Sequence, residues 1–160
     1  MAKKNLNIAR KLCMACRAAD PQKVKELLEA GASPDSEAVG FFRPALIAAM
    51  GPRAGDSECL RLLLEAGADV DCRSDIGTPL MNAALLGHAE SVALLLEAGA
   101  DPFCYDETLG TALDLARLSL VSGPHRYMRL DETIALLEEA MMASVAVPAP
   151  QWSPSPCATL

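Results

Sequence analysis

The chain has 160 residues, 51% apolar but only 4% aromatic, so it holds one domain or one short array whose core must be built of Leu and Ala, the material of helices. No apolar run approaches the ~20 residues that span a bilayer, and Arg17 interrupts the N-terminal MAKKNLNIARKLCMACRAAD before a secretory segment can form. A cytoplasmic protein is expected, with its six Cys reduced. The net charge of −7 hides a gradient, because residues 1–25 carry seven Lys or Arg against Asp20 alone, a balance of +6 that leaves −13 for the rest; this either steers partners or is no more than solvated surface.

Taken in chain order, LLEAGAS at 27–33 returns as LLEAGAD at 63–69 and at 95–101, then as a worn LLEEAM at 136–141. A period of about 32 to 41 residues marks stacked supersecondary units. By register the units are NIARKLCMACRAADPQKVKELLEAGASPD, RPALIAAMGPRAGDSECLRLLLEAGADVD, GTPLMNAALLGHAESVALLLEAGAD and GTALDLARLSLVSGPHRYMRLDETIALLEEA. Their punctuation is clearest in the third. Thr78 is a helix N-cap, Pro79 fits the first helical position, and Gly87 supplies a left-handed stop. Val92, Leu95 and Leu96 then fall at helical spacing, and Gly99 ends the second helix. Helices this short do not persist alone in water, so each pair must bury its apolar face on a neighbouring pair.

The third unit resembles the ankyrin repeat, whose pattern is matched at Thr78, Pro79, Leu80, Ala83, Ala84, Gly87, His88, Leu95, Leu96, Gly99, Ala100 and Asp101. The resemblance implies an all-α ankyrin-repeat solenoid of helix-turn-helix units joined by short loops or β-hairpin-like turns. About four repeats would occupy residues 1–143, and a disordered Pro-rich tail, SVAVPAPQWSPSPCATL, residues 144–160. The His that follows Thr-Pro-Leu in the family, and there ties neighbouring helices by hydrogen bonds, is replaced by Cys13, Leu46, Met81 and Asp114 in the four repeats, which puts those ties in doubt. Extra residues around GPRAGD and SLVSGPHRYMR are expected to lengthen the turns within repeats two and four. Loss of Gly-Ala-Asp after LLEEAM fits a last repeat.

Catalytic and metal chemistry find little footing. Cys13 and Cys16 have the spacing of half a zinc site without a second half. Cys72 and Cys104 occupy equivalent places in adjacent repeats, too far apart for a disulfide. DVDCRSDIG begins like a calcium loop but lacks its later ligands. Of the two His, 88 and 125, His88 matches the Gly-His of the family's inter-helix turn, which implies a hydrogen-bonded structural role. No phosphate loop or nucleophile elbow is present. The expectation is therefore no enzyme, no cofactor, no metal and no nucleic-acid partner, but a monomeric binding module with a protein partner.

In the ankyrin fold partners dock on the concave face formed by loop tips and first helices. The place after the Ala pair holds Arg17, Met50, Leu85 and Leu118. The last three are expected to form an apolar stripe across the groove, or else to lie beneath the lengthened loops. Loop tips add Phe41 and Phe42, the best anchor pair in a chain poor in aromatics, then Arg73 and Asp75, and then Tyr105, Asp106 and Glu107. The final CATL satisfies the prenylation pattern at Cys157, so a membrane-associated, lipid-tethered adaptor is the alternative to a free adaptor, scaffold or inhibitor. A third reading is a compact regulator of a kinase or proteasome-type assembly.

Overall fold

The computed structural model describes residues 2–35, 45–50, 57–74, 77–122 and 129–146. These form eight helices: α1 (Ala2–Arg17), α2 (Pro21–Glu29), α3 (Ala45–Ala48), α4 (Ser57–Glu65), α5 (Pro79–Leu86), α6 (Ala89–Glu97), α7 (Ala112–Ser122) and α8 (Leu130–Ala146). They pair as four hairpins in chain order. First helices stack on first helices, α1 on α3 and α5 on α7, and second helices on second helices, α2 on α4 on α6 on α8. This is the all-α solenoid expected from the repeats.

The recurring LLEAGA is a helix stop. The N–H of Gly31 donates to Leu28 O and that of Ala32 to Leu27 O, both at 3.0 Å, and Gly67 with Ala68 and Gly99 with Ala100 do the same on Leu64, Leu63, Leu96 and Leu95. Such paired termination needs positive φ at the first of the two residues, and the three glycines stand at 87°, 84° and 92°. A Cβ there would meet nothing within 4 Å, so backbone handedness alone demands glycine. First helices end likewise. Gly87 is left-handed at the end of α5, and Ala19, at φ 53°, ends α1 with bonds from its own N–H to Cys16 O and from Asp20 N–H to Ala15 O.

Starts are fixed by side chains. Asp20 accepts from Lys23 N–H at 3.0 Å to open α2, and Thr78 accepts from Met81 N–H at 3.3 Å to open α5. Thr111 and Asp114 form a reciprocal capping box on α7, with Asp114 N–H donating to Thr111 Oγ1 and Thr111 N–H to Asp114 Oδ2. Asp114, seen in the sequence as a lost tie between repeats, thus serves its own helix. Ahead of α5, Ser74 and Gly77 exchange both backbone bonds across a hairpin-like tip. Asp106 and Gly110 do so ahead of α7, with one residue more between them.

Comparing equivalent residues shows which side of each repeat meets which neighbour. Cys13, Leu46 and Met81 are buried, and only the fourth of that set, Asp114, is exposed; the place faces the following repeat. Met14 is exposed, whereas Ile47, Asn82 and Leu115 are buried; that place faces the preceding repeat. Val24, Leu60, Val92 and Thr133 are buried in all four hairpins and form the continuous interior. Burying one such aliphatic side chain contributes roughly 1.5–3 kcal/mol, which no isolated hairpin can obtain.

Two expectations change. The tail does not begin at residue 144, because α8 continues to Ala146 and Ser144 Oγ donates to Ala140 O at 2.9 Å. The residues inserted in repeat four do not all go into a turn, since α7 has 11 residues where α5 has 8. The helix itself is longer.

Candidate interaction surface

The expected stripe is broken. Met50 is only 2% exposed, because α3 ends at Ala48 and the chain turns there, Met50 N–H donating to Ile47 O at 3.2 Å. The side chain therefore leaves the helical face that its counterparts keep and enters the core. Leu85 is half-buried and packs on the same core. Leu118, on α7, is 58% exposed. Arg17 is exposed on α1. Phe41, Phe42, Asp75 and Cys157 lie outside the described residues.

The tips of repeats three and four are tied to each other. The Arg73 guanidinium donates to Tyr105 O at 3.5 Å and to Cys104 Sγ at 3.6 Å, and lies 3.9 Å from Asp106 Oδ2. Asp106 Oδ1 accepts from Thr108 N–H at 2.9 Å, Thr108 Oγ1–H at 2.7 Å and Leu109 N–H at 3.1 Å. These bonds from Thr108 and Leu109, with Arg73 nearby, hold its carboxyl below the usual range. Tyr105, 59% exposed, and the exposed Glu107 are displayed on this tied rim.

A row of aspartates escaped the sequence reading. Asp35 Oδ1 accepts from Asp69 N–H at 2.7 Å, and Asp71 Oδ1 from Asp101 N–H at 3.3 Å, each bond crossing from one repeat to the next. Within repeats Asp69 Oδ1 takes Asp71 N–H and Asp101 Oδ1 takes Phe103 N–H. The signal was the spacing in GASPD and GADVD, which GADPF loses at Phe103. The missing His ties are thus replaced by carboxylate-to-backbone ties. Burial, with Asp101 and Asp69 close by and partly offset by the Asp101 bond, raises the Asp71 carboxyl.

Burial, with Cys59 and Cys13 as neighbours, pushes Cys16 far up, so it stays a protonated thiol. Among the described residues no three His, Cys, Asp or Glu are grouped to hold a metal ion, and no helix is long and apolar enough to cross a membrane. His88 precedes α6 without capping it by its side chain, and its buried Nδ1 has no hydrogen-bond partner. Burial lowers its pKa.

A family model described as ankyrin repeats (3 copies) matches residues 12–106, more than half of the chain. The chain belongs to the ankyrin-repeat family, whose members generally mediate protein–protein interaction. No curated protein matches it. The matched span stops before α7, where the longer helix and the polar outer face set the fourth hairpin apart.

Proposed function

We propose that the chain is a non-enzymatic binding module of the cytoplasm, an adaptor, scaffold or inhibitor, that holds one protein partner on the concave side at its repeat-four end. Leu118 carries this reading: it is a large apolar residue left exposed on a first helix, at a place where Met50 is buried and Leu85 half-buried. Tyr105 on the tied rim is the second anchor, and the Arg73–Asp106 contact keeps the rim in shape before binding, which lowers the ordering cost of association. Leu118→Glu, alone and with Tyr105→Ser, tests it. Proteins captured by the wild-type chain are quantified by mass spectrometry against the variants. A specific partner drops about tenfold or more on the variants, with unchanged circular dichroism. If every captured protein binds both equally, the surface lies elsewhere.

A further inference from the structure

The exposed apolar side chains of α7 lie among acids whose neighbouring cations are already engaged. Asp114, Leu118 and Val121 fall at i, i+4 and i+7, one face of that helix, and all three are exposed, Val121 at 84%. Asp114 stands in the register place where Cys13, Leu46 and Met81 are buried against a following repeat. Its Oδ2 accepts from Thr111 N–H at 2.9 Å and from Thr111 Oγ1–H at 2.7 Å. These bonds, with a smaller part from Arg117, lower its pKa and keep it ionised. An ionised carboxylate is a poor seat for another apolar hairpin, so this face suits a charged contact rather than further stacking. On the rim, the exposed Glu107 follows Tyr105 by two residues.

Residues 73–121, from the tip of repeat three to the last turn of α7, carry seven Asp or Glu, no Lys and two Arg. Both Arg have partners: Arg73 lies 3.9 Å from Asp106 Oδ2, and Arg117 donates to Glu138 Oε1 at 2.8 Å. Around Leu118 and Tyr105 two Arg therefore face four acids, Asp106, Glu107, Asp114 and Glu138, which leaves a balance of −2. An acidic segment would be repelled here, and a neutral one would leave that charge unanswered. Resting on the reading of Leu118 and Tyr105 as anchors, we propose that the occupant is a basic amphipathic segment of another protein, with Lys or Arg flanking an apolar side chain that covers Leu118. The cation beside that side chain meets Asp114, one helical turn away on α7, and a second meets Glu107. Charge steers the encounter and rejects acidic competitors, while the apolar anchors hold what has docked.

A displayed library of random peptides tests this, selected on the wild-type chain and counter-selected on Leu118→Ser, which removes the anchor without adding charge. The retained peptides should be enriched in Lys and Arg beside apolar residues and depleted in Asp and Glu. The most enriched peptide should bind Glu107→Gln with Asp114→Asn about fivefold more weakly than wild type, both charges being exposed. Its affinity for wild type should fall between about 0.1 M and about 1 M salt, as the screening length drops from ~10 to ~3 Å, and fall less for the double variant. Asp114→Asn keeps an oxygen to cap α7, and circular dichroism checks that each variant folds. Peptides that depend on Leu118 but show no excess of Lys and Arg leave the anchor standing and overturn the basic partner. Equal affinity for the double variant and the wild type overturns it too. A selection that yields only peptides binding Leu118→Ser as tightly as wild type removes the anchor itself, and the inference with it.

Discussion

Asp71 Oδ1 accepts the backbone N–H of Asp101, thirty residues along the chain, at 3.3 Å. The bond joins repeats two and three without any side-chain donor, and it places one carboxylate beside two others, Asp69 and Asp101. The tie and the repulsion can be separated. Asp71→Asn keeps an acceptor oxygen and removes the charge. Asp71→Ala removes both and should cost about 1 kcal/mol. Because burial and neighbouring carboxylates raise the folded-state pKa of Asp71 above its unfolded value, the unfolded chain releases that proton first. Asp71 therefore favours folding most below the unfolded value, and this is lost as pH rises through the folded one. Thermal melts across acidic to neutral pH should show Asp71→Asn gaining on the wild type as pH rises. Equal melting curves at every pH would mean the carboxylate is not under strain.

Ala19 tests the backbone argument. At φ 53° it occupies the left-handed place that Gly87 fills at φ 66° in the third repeat. A Cβ in that conformation costs roughly 1–2 kcal/mol, against about 0.4–1 kcal/mol that glycine loses through the freer unfolded chain. Ala19→Gly should therefore stabilise by roughly 0.5 kcal/mol. The opposite exchange, Gly99→Ala at φ 92°, should destabilise by about 1 kcal/mol or more, although nothing crowds its Cβ. Urea unfolding of both variants measures the pair of signs.

Thr133 is the fourth member of the interior set that otherwise holds Val24, Leu60 and Val92, and its buried hydroxyl has no hydrogen-bond partner. The volume suits a valine and the oxygen is a liability, since a buried unpaired polar group costs about 1–3 kcal/mol. Thr133→Val should raise stability by about 1 kcal/mol or more with no change in the α8 dichroism. A loss on substitution would mean the hydroxyl is engaged in solution.

How much of this was legible depended on whether the signal was local and repeated. The helix stops at Gly31, Gly67 and Gly99 and the cap at Thr78 could be read because each obeys a rule involving only its own turn. The cross-repeat role of Asp35 and Asp71 could not, because a carboxylate reaching the next repeat leaves only a short spacing in the sequence, and that spacing also suits an Asx turn. The sequence left Met50 open between exposure and burial for a related reason. Its register put it on a helical face, but α3 stops at Ala48 and the chain turns there. Leu118 holds on α7 the register place that Leu85 holds on α5 and is 58% exposed.

His88 offers the clearest pH handle. It stands at the N-cap of α6 and makes no capping bond, its Nδ1 is buried without a partner, and burial lowers its pKa. A helix N-terminus is also a poor place for a cation. With the folded value below the ~6.5 of an unfolded histidine, the unfolded chain takes up the proton first as pH falls. The stability present above ~6.5 is then lost progressively down to the folded value. The equivalent residue in repeat one, Asp20, caps α2 through its carboxylate. His88→Asn should supply that missing cap, adding about 1 kcal/mol, and should flatten the decline in stability below ~6.5. Melting temperatures of wild type and variant, compared between pH 7.5 and 5, should diverge as the solution becomes more acidic. Parallel curves would place the acid sensitivity elsewhere.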